Sequence, residues 1–198
     1  MKADIILSGV GGQGILSMAA IIGGAALRAG LHIKQAEVHG MSQRGGDVQS
    51  NLRISPEPIH SDLIALGRAD AIVSLEPLEA LRYLPYLSSG GWVVANISPI
   101  VNIPDYPDHE KVLQELNMLP NVILIDAHAL ARYTGVSKAV NTLLLGAASV
   151  ILDMDPAKLE ESLKELFARK GEKIVETNLR AFSAGREAGK KQMKRRDG

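Results

Sequence analysis

The feature that most constrains this chain is a turn, Gly9-Val10-Gly11-Gly12-Gln13-Gly14, set between a short apolar run and a long apolar stretch. Ala3 to Ser8 has a strand's length and almost no polar residue, as in a strand buried on both faces. Ile15 to Ala29 carries one charge, Arg28, and closes on Gly30, which suits a helix stop. Strand, glycine turn and buried helix open a βαβ unit, and the spacing matches G-x-G-x-x-G. Glycines at such a turn let an anion approach backbone N–H groups at a helix N-terminus, where the macrodipole favours negative charge. Glu37, near the end of the next strand pattern, stands where an acidic residue would grip a ribose hydroxyl. Two readings stay open: an NAD site using Gly9, Gly11, Gly14 and Glu37, or glycines that only permit close packing of helix on sheet.

Further on, Leu31 to Val38 resumes a strand pattern, and Val48, Ser50, Leu52 and Ile54 alternate with Gln49, Asn51 and Arg53. That period of two predicts a half-exposed strand, ended by Pro56 and Pro58. Asp70 to Leu75, Trp92 to Ala95 and Asn121 to Asp126 read as further strands; Pro77 to Leu87 and His109 to Leu116 read as helices, and Ile97 to Pro107 as a loop. Helices are predicted over Ala139 to Leu152, Pro156 to Ala168 and Lys173 to Lys194. Alternation through residue 126 predicts an α/β fold: three α/β/α layers, a mainly parallel sheet with room for mixed strands, and a Rossmann-like first βαβ unit. The C-terminal third, about 138–194, is helical, and 198 residues suit one domain better than two.

Composition removes several functions. Lys plus Arg equals Asp plus Glu at 22 each, so the chain lacks the field of a nucleic-acid binder, and 4% aromatics offer no stacking platform. With no cysteine it can supply no disulfide, thiolate nucleophile or cluster ligand. The start, Met1-Lys2-Ala3-Asp4, shows no signal-peptide pattern and no run reaches a membrane span, so a cytoplasmic chain with no membrane partner is expected. Asp126-Ala127-His128 gives two metal ligands without a third, and Asp126 reads better as a helix cap; no metal is expected on the chain. Lys190-Lys191 and Lys194-Arg195-Arg196 read as a solvated tail. The small residues of Gly23-Gly24-Ala25-Ala26 and Gly146-Ala147-Ala148 suit close helix packing, with subunit contact, and hence a homodimer, left open.

The segment after Glu37 departs from a dinucleotide unit. Val38-His39-Gly40-Met41-Ser42-Gln43-Arg44-Gly45-Gly46-Asp47-Val48 is a polar, glycine-rich loop where a crossover helix would start, and such loops carry function. Arg44, flanked by glycines, offers a planar fork to a phosphate or carboxylate. His39 adjoins the loop and suits either a ligand contact or a turn-stabilising hydrogen bond.

This loop, the glycine turn and the segment Lys138-Ala139-Val140-Asn141-Thr142-Leu143-Leu144-Leu145-Gly146-Ala147 together resemble the gamma-type domain of 2-oxoacid:ferredoxin oxidoreductases. Within that family the chain is similar to the beta-subunit type of the indolepyruvate enzymes, along its whole length as one domain, 1–198. The resemblance implies oxidative decarboxylation of an aryl 2-oxo acid by thiamine diphosphate, with coenzyme A taking the acyl group and ferredoxin the electrons. It places thiamine diphosphate, magnesium and the iron–sulfur clusters on a larger partner subunit, leaving no cofactor on this chain. The binding residues expected here are Gly9, Gly11, Gly12, Gln13, Gly14, Glu37, His39, Gln43, Arg44, Gly45, Gly46 and Asn141, with Gln43 and Arg44 leading. No catalytic group is assigned. A scaffold subunit that only buries a partner surface remains the non-catalytic alternative.

Overall fold

A computed structural model of the protein describes residues 1–39 and 46–196, with the backbone alone for His39, Arg195 and Arg196. The chain begins with strand β1 (Ala3–Val10), helix α1 (Ile15–Arg28), strand β2 (His32–His39) and strand β3 (Asp47–Ser55). Strand β4 (Ala69–Ser74), helix α2 (Pro77–Arg82), strand β5 (Leu87–Asn96), helix α3 (His109–Asn117) and strand β6 (Val122–Ile125) follow. Helices α4 (Ala127–Tyr133), α5 (Val140–Ala148), α6 (Pro156–Ala168) and α7 (Glu172–Arg196) complete it. The helix predicted through Leu87 ends at Arg82, because Pro85 turns the chain into a 3-10 segment, Leu84–Tyr86.

The strands form one sheet in the order β2-β3-β1-β4-β5-β6. β1, β4, β5 and β6 run parallel, while β3 is antiparallel to both its neighbours. The first βαβ unit is therefore present, since β1 and β2 point the same way, but β3 lies between them. Alternate residues of β1 face opposite layers. Ile5 and Leu7 join a core shared with α1, α5, α6 and α7, and Ile6 joins a smaller core under α2 and α3. This is the three-layer arrangement expected.

One expectation fails at β3. Its polar alternates are not exposed, for Gln49 and Asn51 are buried along with Ser50, Leu52 and Ile54. At Asn51 and Arg53 the reason is the segment 60–68, which uses their polar groups. The Asn51 side-chain oxygen accepts from Ile64 N at 3.2 Å, and Arg53 donates to the Ser61 and Leu63 carbonyls. Arg53 also forks onto Asp4 at 2.7 and 3.0 Å, so β3 is tied to β1 by a bidentate pair.

Helices α5 and α7 cross backbone against backbone. A Cβ at Gly146 would run into the Phe182 carbonyl oxygen and one at Gly185 into the Leu143 carbonyl oxygen, so glycine is what permits the approach. This close packing buries Phe182 completely and clamps α7 to the sheet, where Gln192 Nε2 donates to the Leu124 carbonyl at 3.2 Å. No helix among the described residues is long and apolar enough to cross a membrane.

Candidate functional site

The glycine turn stands at the carboxyl end of β1, beside the end of β4, where open α/β sheets hold ligands. Gln13 fastens it. Its Oε1 accepts from Val10 N at 2.6 Å and its Nε2 donates to the Leu75 carbonyl at 3.0 Å, so the amide bridges turn and β4. Gly14 is the N-cap of α1 with φ +90°, a left-handed conformation that a side chain would strain. A Cβ there would also strike Asn141 Nδ2, which donates to the Gly14 carbonyl at 3.2 Å. No side chain caps α1, and its first turn holds no acidic residue. Ser17 N donates to the Gly14 carbonyl at 3.1 Å, so the helix can offer an anion the N–H groups of Ile15 and Leu16, which have no partner among the described residues, and its positive dipole end.

A cavity of about 420 Å³ opens on the turn, lined by Val10 to Ser17 together with Glu37 and Val48. Glu37 reaches it from β2 although β3 intervenes, which sets β2 one strand spacing, ~4.8 Å, beyond its place in a dinucleotide unit. The Gly46 carbonyl accepts from Gly11 N at 2.9 Å, so the residue that leads into β3 is fastened to the turn. The structure therefore brings together Gly11, Gly12, Gln13, Gly14 and Glu37 at one cavity, with Gly46 and Asn141 bonded to the turn. Gly9 lies beneath it in β1, in register with Val48. Gln43, Arg44 and Gly45 lie outside the described residues, as does the side chain of His39, whose backbone ends β2.

Two polar residues that sequence reasoning passed over organise the rest of this edge. Asn96, fully buried at the end of β5, donates from Nδ2 to the carbonyls of Leu75 and Ser98, and its Oδ1 accepts from Ala127 N at the start of α4. Glu76, 1% exposed, caps α2 by accepting from Glu79 N at 2.9 Å. Its other oxygen accepts from Tyr106 OH in a short bond and from Ile100 N, holding the segment 97–108 down. The signal available in sequence is a polar residue directly after an apolar strand, the position from which side chains reach the carboxyl edge. Asp126 caps α4 as expected, accepting from Ala129 N at 2.8 Å.

The electrostatics of the edge follow from burial. Burial pushes the Glu79 carboxyl up, a shift partly offset by the Arg82 guanidinium bonded to it at 2.8 Å. Burial and a hydrogen bond to Asp47 raise the Tyr83 phenol above its ordinary range, and burial and Glu76 do the same for Tyr106. Among the described residues no three His, Asp or Glu side chains converge as metal ligands.

The fold and this edge define a three-layer α/β domain with a mixed sheet, a glycine turn that opens on a cavity at the carboxyl edge, and a helical C-terminal layer. The chain belongs to the pyruvate ferredoxin/flavodoxin oxidoreductase family, whose model matches residues 4–188. It is 38% identical to indolepyruvate oxidoreductase subunit IorB of Thermococcus kodakarensis, over 96% of this chain and 97% of that one. Its fold matches a 2-oxoglutarate:ferredoxin oxidoreductase from Magnetococcus marinus with TM-score 0.75 at 22% identity, covering 96% of this chain and 31% of that one. It also matches the gamma subunit of a keto/oxoacid ferredoxin oxidoreductase from Geobacter sulfurreducens, with TM-score 0.70 at 23% identity and coverage of 96% and 99%. Both of these relatives of similar length are named as subunits of oxidoreductases.

Proposed function

We propose that this chain, acting as one domain over residues 1–198, is the small subunit of an indolepyruvate-type 2-oxoacid:ferredoxin oxidoreductase. That enzyme converts an aryl 2-oxo acid and coenzyme A to acyl-CoA and CO2 while reducing ferredoxin. The observation that carries this reading is the 38% identity to an indolepyruvate oxidoreductase subunit over nearly the full length of both chains. The side chains here do not fit iron–sulfur clusters, since the chain has no cysteine, and the described residues gather no ligand set for magnesium. Those groups and thiamine diphosphate belong on a larger partner subunit, and no chemical step is assigned to this chain's own residues.

What this chain contributes is a wall of the substrate or coenzyme A pocket, built on the carboxyl edge around the glycine turn. Gln43 and Arg44, from the loop whose end meets Gly11, make its polar contacts. The test is a complex reconstituted with the cysteine-rich partner. Arg44→Ala lowers kcat/KM by about 10- to 100-fold, the worth of a charge-assisted hydrogen bond, while the subunits still co-purify. Unchanged kinetics would remove Arg44 from the pocket, and a chain that purifies alone from cells expressing that partner would remove the assembly.

A further inference from the structure

The two edges of the sheet differ in how they are closed. At one end β6 is four residues long, and its Leu124 carbonyl is taken by Gln192 of α7. At the other end β2 is eight residues long, pairs with β3 without a break in register, and contains neither proline nor glycine. Natural edges are blunted by shortness, proline, bulges or a cover, because a row of unpaired N–H and C=O groups templates another strand. β2 has none of these devices among the described residues, and its one lysine, Lys34, is engaged with Asp62 at 3.1 Å.

The ladder fixes which backbone groups are open. Gly11 N bonds to the Gly46 carbonyl one step beyond the paired Val10 and Asp47, and bonded pairs alternate along an antiparallel ladder. Gly9 with Val48, Leu7 with Ser50 and Ile5 with Leu52 are therefore the bonded pairs of β1 and β3, which leaves Gln49, Asn51 and Arg53 to bond β2. Their partners there are Val38, Ala36 and Lys34. Ile33, Gln35 and Glu37 consequently turn their N–H and C=O groups outward, and no described residue bonds to those groups. Exposed apolar side chains flank this edge: Leu16 shares the first cavity with Glu37, Val38 stands on the opposite face of β2, and Leu63 follows Asp62. The small-residue segments, by contrast, are spent inside the chain, Gly23 against Ile33, Gly24 against Ser162 and Gly146 against Phe182.

We propose that β2 pairs antiparallel with β2 of a second copy of this chain about a two-fold axis, joining the two six-stranded sheets into one. Antiparallel strands related by such an axis keep their faces, so only residues whose side chains share a face can stand opposite each other. Two registers centre on the open groups. With Gln35 on the axis, Glu37 faces Ile33 of the second copy and loses water against an apolar side chain. With Ala36 on the axis, Glu37 faces Gln35 and Gln35 faces Glu37, so each carboxylate meets an amide donor, and Lys34 lies beside the exposed Val38. No like charges oppose each other there, and the strand is complementary to itself in charge as well as in backbone. Glu37 also lines the first cavity, so the second copy's strand forms part of that cavity's rim. The pairing goes beyond the reading above and concerns a different partner from the larger subunit.

The test is sedimentation of the full chain, with hydrogen exchange read amide by amide over the same range of concentration. A dimer is expected in which the Ile33, Gln35 and Glu37 amides lose protection on dilution, while those of Lys34, Ala36 and Val38, bonded to β3, keep theirs. Gln35→Glu sets carboxylate against carboxylate at both symmetric positions and weakens dimerisation by about 2- to 30-fold; Gln35→Lys sets an ammonium group against Glu37 and tightens it by a similar factor. Gln35 is exposed, so both variants keep the fold, and effects of opposite sign report the charge they face. A monomer at every concentration up to about 0.5 mM, or a dimer indifferent to the charge at position 35, would overturn the proposal. So would protection of the alternate amides that appears only on adding the larger cysteine-rich subunit, which would assign the edge to that subunit instead.

Discussion

Replacing Gln13 by alanine tests whether the glycine turn is held by one side chain. The amide makes two hydrogen bonds to backbone, to Val10 N at 2.6 Å and to the Leu75 carbonyl at 3.0 Å. Val10 is 3% exposed, so truncation strands a buried N–H at about 1–3 kcal/mol. The Leu75 carbonyl keeps its second donor, Asn96 Nδ2 at 3.2 Å, so its loss is closer to ~1 kcal/mol. The sum, about 2–4 kcal/mol, lowers Tm by about 4–16 °C for a chain of this size. Urea unfolding of the full chain reads it directly, as a fall in midpoint at constant slope. Gln13→Glu sharpens the test. The carboxylate still accepts from Val10 N but faces the Leu75 carbonyl with an oxygen instead of a donor. Protonation restores the donor, so the deficit of this variant shrinks as pH falls through and somewhat above the ordinary glutamate value, ~4.3. A Gln13→Ala variant within ~0.5 kcal/mol of wild type, or a Gln13→Glu deficit indifferent to pH, would refute the reasoning.

Thermal unfolding separates two helix glycines. Gly146→Ala drives a Cβ into the backbone carbonyl of Phe182, and an overpacking penalty of about 1–3 kcal/mol or more exceeds the ~1 kcal/mol that alanine gains in a helix; Gly24→Ala meets side-chain atoms alone, the Ser162 hydroxyl, which can rotate away, and Ser162 Cβ at 3.3 Å, which must give slightly, and stays within ~1 kcal/mol of wild type. Glu79, whose carboxyl is raised by burial, contributes stability that is full below its unfolded value and is lost as pH rises through its folded one. Unfolding at pH 4 and pH 7 should therefore show wild type losing ground to Glu79→Gln at the higher pH, and the opposite trend would mean that the Arg82 pair outweighs burial.

The strands and the glycine turn were legible because they rest on local pattern. Ala3 to Ser8 and Asp70 to Leu75 are apolar on both faces, and Gly30 ends α1 where the apolar stretch stops. The place of β3 was not legible, although the segment from His39 to Asp47 is too short for a crossover helix and so already favours an antiparallel neighbour. What inserts that strand between β1 and β2 is its pairing with residues far back in the chain, among them Asp4 with Arg53. The burial of Asn51 likewise depends on the segment 60–68, which no periodicity of β3 itself contains. Glu76 and Asn96 look like ordinary strand-end polar residues until Tyr106, Ile100 and Ala127 arrive as their partners.

These long-range bonds share a junction at Leu75 and Glu76. The Leu75 carbonyl takes the Gln13 amide from the glycine turn and the Asn96 amide from β5, and Asn96 in turn fixes the start of α4. Glu76 caps α2 and secures the segment 97–108. Four features of the carboxyl edge, from separate parts of the chain, are thus suspended from two consecutive residues at the end of β4. Such a design suits a subunit whose part is to present a surface rather than to react. Order established within the chain need not be established on association, so less binding free energy is spent on fixing loops when a partner or ligand meets this edge. The same logic explains why the polar groups here are buried and paired instead of exposed. A surface residue could reach a ligand as well, but only a satisfied, interlocked network keeps the turn in one place.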